Sequence, residues 1–158
     1  MSERRFGALL SLVRQGVTLG LDYGTHSLEV MLSVAETVEE AVLEPGSFVR
    51  TPGGLGFALA NPPLRTGAFS SIRARVAGRA VPPEHVRLRG GAGEAWRRAA
   101  DLSRTAPWTR GPGERTEFEI DLPSSPAGET TVRLEFECPA IPPLVWLEFT
   151  ETPGERLP

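Results

Sequence analysis

The sequence contains no lysine: all 17 of its basic residues are arginine. That removes Schiff-base chemistry, a phosphate-loop lysine and a lysine general base from consideration. Histidine is nearly as scarce. His26 and His85 lie far apart in the chain and form neither an HxH nor an HExxH ligand pair. No GxSxG is present, so neither histidine comes with a recognisable nucleophile signature. The single cysteine, Cys138, excludes an internal disulfide and any CxxC metal or redox motif. An unpaired thiol of this kind reads as a small buried hydrophobe and fits a reducing compartment. Long apolar runs are missing too, since a membrane span needs about 18 such residues. Arg4 and Arg5 precede the apolar stretch Phe6 to Val13, but Arg14 and Gln15 cut it short and no small-residue cleavage pattern follows. The expectation is a cytoplasmic chain with no membrane segment and no metal site of its own.

What is present is the composition of one ordinary domain: 158 residues, 40% hydrophobic and 23% charged. Glycine and proline, 17 and 15 in number, fall in clusters such as Thr51-Pro52-Gly53-Gly54, Ala77-Gly78, Val81-Pro82-Pro83 and Ile141-Pro142-Pro143. The intervals between them are too short for long helices and suit strands. Within those intervals the hydrophobic period is two. Thr116, Phe118, Ile120 and Leu122 alternate with Glu117, Glu119 and Asp121; Thr130, Val132, Leu134 and Phe136 alternate with Thr131, Arg133, Glu135 and Glu137. Each pattern predicts a strand with one face buried and one charged, and Ser125-Pro126-Ala127-Gly128 is expected to join the two as a hairpin. Ile72, Ala74 and Val76 alternate with Arg73 and Arg75, and Ala77-Gly78 offers a tight turn before Val81. Val86 with Leu88, Leu28 to Val34 and Val145 to Phe149 complete the series. Gly53-Gly54-Leu55-Gly56 runs into Phe57-Ala58-Leu59 rather than into a helix, so it is no phosphate loop. Glu94 to Ser103 carries helix formers without a breaker and predicts one helix of two or three turns. Phe6 to Val13 is open between helix and strand. The fold class expected is all-β: an antiparallel β-sandwich over residues 44–158, with one short helix and an N-terminal extension, residues 1–43, that contributes a strand or a helix.

The net charge of −3 conceals a strong asymmetry. Residues 44–112 carry 11 arginines against 4 acids, and residues 113–158 carry 3 against 10. Arginine-faced strands such as Ile72 to Val76 are expected beside acid-faced strands such as Thr116 to Leu122, where opposed charges contribute about 0.2–1 kcal/mol each. An acidic partner or anionic ligand is the alternative. Nucleic acid is not expected, because the pI is about 5.5 and no RNA-binding motif is present. Among the tryptophans, Trp146 sits in an apolar strand, Trp96 on the expected helix and Trp108 in an expected loop, where an exposed ring would serve as an interface anchor.

From about Pro45 to Phe149 the order of features is Leu55-Gly56-Phe57, then Pro63-Leu64-Arg65-Thr66-Gly67, then Ser70-Ser71-Ile72 leading to Arg75-Val76-Ala77-Gly78-Arg79-Ala80-Val81-Pro82. After Trp108 come Gly113-Glu114-Arg115-Thr116-Glu117-Phe118 and Ala127-Gly128-Glu129-Thr130-Thr131-Val132-Arg133-Leu134. This order resembles the small β subunit of bacterial C-glycoside deglycosidases, with Ala77 where an acid is common in that family. The resemblance implies a non-catalytic β-sandwich subunit bound to a larger TIM-barrel α subunit. Such enzymes are lyases that break the carbon–carbon bond of 3-oxo C-glycosides. The divalent metal and the general acid and base are then expected on the barrel, none of them in this chain, with the glycoside at or near the interface. Arg65, Trp108 and Trp146 are the residues expected to meet the partner. The alternative expectation is a free-standing module that binds carbohydrate or an acidic protein.

Overall fold

The computed structural model describes residues 17–22, 27–32, 43–60, 68–111, 114–138 and 144–156, the first two segments and residues 144 and 145 by backbone alone. Fourteen strands occur among them: β1 (Val17–Asp22), β2 (Ser27–Leu32), β3 (Val49–Thr51), β4 (Gly54–Ala60), β5 (Ala68–Phe69), β6 (Ser71–Val76), β7 (Arg79–Val81), β8 (Val86–Arg89), β9 (Arg97–Arg98), β10 (Trp108–Thr109), β11 (Arg115–Asp121), β12 (Thr130–Glu137), β13 (Leu144–Glu151) and β14 (Gly154–Glu155). They form two six-stranded sheets, β2-β1-β13-β12-β6-β7 and β14-β3-β4-β11-β8-β9, and a small sheet of β10 and β5. Every described pairing is antiparallel except β14 with β3. The chain is all-β, and the N-terminal stretch contributes two strands, β1 and β2, that extend the first sheet through β13. Phe6 to Val13, Tyr23, His26 and Arg65 lie outside the described residues.

The core forms where the two large sheets face each other, because the period-two patterns give each strand one apolar face. Leu55, Phe57, Leu59, Val86, Leu88, Phe118 and Ile120 of the second sheet meet Ile72, Ala74, Val76, Val132, Leu134, Phe136, Leu147 and Phe149 of the first. Phe57 stacks on Phe118, its cross-strand neighbour, at 5.2 Å and meets Phe149 of the other sheet edge-on at 5.3 Å. Ring pairs of this geometry add about 0.5–1.5 kcal/mol beyond their burial.

Two expectations are corrected. Thr116 to Leu122 and Thr130 to Glu137 are not a hairpin: β11 pairs with β4 and β8, whereas β12 pairs with β13 and β6 in the opposite sheet. The connection, residues 122–129, is longer than the about 2–5 residues of hairpin loops, and it is pinned to the second sheet as it leaves. Leu122 N–H donates to the Gly53 carbonyl at 2.8 Å, and Ser125 Oγ donates to that of Gly54 at 2.7 Å. For the same reason Arg73 of β6 opposes Glu135 of β12 and Arg75 opposes Arg133, while Glu117 and Glu119 of β11 oppose Arg89 and Arg87 of β8, rather than β6 facing β11.

The second correction concerns residues 94–103. The expected helix is absent; Trp96 leads into β9, and only Ala99–Asp101 coils, as a single 3-10 turn. An isolated helix needs about 12–15 residues to hold itself, and here tertiary partners favour extension. Arg97 donates to the carbonyls of Ala106 at 3.0 Å and Pro107 at 3.2 Å, while the Glu94 carboxylate accepts from Gly90 N–H and from Arg110, both at 3.0 Å.

Candidate partner interface

Burying one face of each strand leaves the other to water, so the outward faces carry whatever the chain offers a partner. On the first sheet that face is built from alternate residues of β6, β12 and β13. Register sets Arg73 opposite Glu135, Arg133 opposite Glu148, Thr131 opposite Thr150, and Trp146 between Glu135 on one side and Gly20 on the other. Ion pairs link these groups: Arg133 lies 3.7 Å from Glu148 opposite it and 3.3 Å from Glu135 on its own strand, and Arg73 reaches Glu137 diagonally at 2.9 Å. Each such exposed pair contributes little, about 0–1 kcal/mol.

Register also sets Arg75 directly opposite Arg133. Like charges so placed destabilise a strand pair. Arg133 has its carboxylates, but Arg75 is exposed and has no ion-pair partner among the described residues. These two arginines, with Gly78, Thr131, Glu135 and Glu148, line a concavity of about 440 Å³. At its margin the Arg133 guanidinium lies over the Trp146 ring, 4.1 Å from the centroid. Trp146 is only 7% exposed, yet it belongs to the outward face and not to the core cluster. Its presence in an apolar strand was legible; its position outside the core depends on register.

Trp108 corrects an expectation. It is not an exposed ring in a loop but part of β10, paired with Phe69 of β5 and 7% exposed. Its indole N–H donates to the buried hydroxyl of Thr116 at 3.2 Å. The guanidinium of Arg110 stands 4.7 Å from the ring centroid and that of Arg97 5.7 Å from it. Phe69 carries the contact inward to Phe136 at 4.8 Å. What either tryptophan shows a neighbour is therefore the arginine stacked upon it.

His85 and Cys138 lie on different elements. His85 is exposed at the end of the 3-10 turn Pro83–His85. Cys138 is buried just beyond β12, and burial pushes its thiol up to about 11, so little thiolate exists at neutral pH. Among the described residues no three His, Cys, Asp or Glu side chains converge as a metal site, and no helix is long and apolar enough to cross a membrane. The chain matches no known family model and no curated protein sequence.

Proposed function

We propose that this chain is the non-catalytic β subunit of a heteromeric lyase that acts on 3-oxo C-glycosides, and that it docks on a larger TIM-barrel subunit through the outward face of the first sheet. One observation carries the docking surface: Arg75 stands opposite Arg133, with no carboxylate partner among the described residues, beside the stacked Arg133–Trp146 pair. A like-charged pair held at a cost to stability is relieved by a partner's carboxylate, and arginine and tryptophan are the residue types that dominate interface energetics. The order of features from Pro45 to Phe149, which resembles the small subunit of the C-glycoside deglycosidases, supplies the partner and the reaction. In that reading the divalent metal and the general acid and base reside on the barrel, with the glycoside near the junction, and Arg65 adds to the contact.

A free-standing module that binds an acidic protein is the second reading, since Arg75 suits any carboxylate-bearing surface. Co-expression with a barrel protein encoded beside this chain separates the two. The proposal expects one co-eluting complex on size exclusion, a gain in cleavage of a 3-oxo C-glycoside on mixing, and loss of the complex with Arg75→Glu. Two separately eluting chains with no gain in activity would overturn it.

A further inference from the structure

The outward face of the second sheet holds a different feature. Along β4 the outward positions are Gly54, Gly56, Ala58 and Ala60, opposite Asp121, Glu119, Glu117 and Arg115 of β11. Small residues in a central strand are poor strand formers, and here they leave a trough. Two ion pairs cross it. Arg115 of β11 reaches Glu44 at 3.0 Å on the far side, and Arg156 reaches back to Glu119 at 3.0 Å. Between these straps Gly56 and Ala58 floor a pocket of about 200 Å³, and Trp96, which is partly exposed, forms a wall with Arg89 stacked 4.4 Å from its centroid.

We propose that this pocket binds a single ring of a neutral saccharide. Three guanidinium groups that line it, those of Arg89, Arg115 and Arg156, are matched by the three carboxylates of Glu44, Glu117 and Glu119. The pocket's lining thus carries no net charge to select an anion. It does present charge-assisted donors and acceptors side by side, which suits the hydroxyls of a sugar. Trp96 adds an apolar wall that carries the Arg89 guanidinium stacked upon it, and the volume suits one ring. The inference does not depend on docking, because this face belongs to the sheet opposite the one that carries Trp146, and the two fail separately.

Titration of the full chain with methyl β-D-glucopyranoside and methyl β-D-galactopyranoside, followed by backbone amide NMR shifts, tests it. Binding in the millimolar range is expected, with shifts centred on Gly56, Ala58 and Glu117. Trp96→Ala, and Ala58→Leu to fill the floor, should each weaken it at least tenfold, whereas Arg75→Glu should leave it unchanged. Shift mapping on the wild-type chain decides the matter even where a variant does not fold. No saturable shift with either glycoside, shifts centred elsewhere, or tighter binding of glucose 6-phosphate than of the neutral sugars would overturn the proposal.

Discussion

Trp108 and Thr116 show how a single polar contact shapes this molecule. The indole N–H is enclosed, and the Thr116 hydroxyl, 4% exposed, accepts from it. Thr116→Val keeps the shape and strands the donor, so a loss of about 1–3 kcal/mol is expected in chemical denaturation. Ala77 makes the opposite case. It holds a φ of 50° ahead of Gly78 at 78°, and Val76 pairs directly with Arg79, so both central residues of this two-residue turn are left-handed. That geometry costs an L-residue with a Cβ roughly 1–2 kcal/mol, and asparagine tolerates it better. Ala77→Asn should raise stability by about 1 kcal/mol and lift the melting temperature; no change would mean that the strain is relieved elsewhere. The turn itself was legible from Ala77-Gly78. The burial of Trp108 was not, because the residues that enclose it, Phe69, Arg97 and Thr116, are distant from it in sequence or on other strands.

At the scale of strands, period two told which residues face the core but not which strands are neighbours. It placed Phe118, Ile120, Val132 and Leu134 inside correctly, yet said nothing of the crossing between sheets after Asp121. The length of the 122–129 connection was the available signal. In residues 94–103 helical propensity lost to hydrogen bonds supplied by residues 106, 107 and 110, which no local pattern contains. Arg75 had been legible as one of an arginine-faced strand, but its opposition to Arg133 follows only from the register of β6 on β12. Replacing Arg75 with Glu gives Arg133 an opposite charge and should stabilise the isolated chain by about 0.2–1 kcal/mol, the reverse of its effect on docking. The β11–β8 ladder has a pH signature. Burial pushes the Glu117 carboxyl up, but hydrogen bonds from Arg115 and then Arg89 outweigh it and hold the group below its ordinary value of 4.5. A carboxyl lowered on folding stabilises the native state above 4.5, and that contribution is lost as pH falls below 4.5 through the folded value. Glu117→Gln should therefore flatten the acid limb of a stability–pH curve; an unchanged limb would contradict the ladder's role.

For the molecule as a whole, two sheets enclose one apolar core and present two unlike exteriors. On the second sheet Arg87, Arg89 and Arg115 meet carboxylates while Arg98, set opposite Arg87, has no ion pair among the described residues, just as Arg75, opposite Arg133, has none on the first. The first sheet adds a concavity of about 440 Å³ lined by Arg75 and Arg133, with Trp146 beneath Arg133 at its margin, and the proposal places the partner subunit there. Hydrogen–deuterium exchange of the chain alone and in the presence of the co-expressed barrel tests the assignment directly. Added protection is expected along Arg73–Val76, Thr131–Glu135 and Trp146–Thr150, with little change in β11 and β8. Protection confined to the second sheet, or no difference between the two samples, would contradict it.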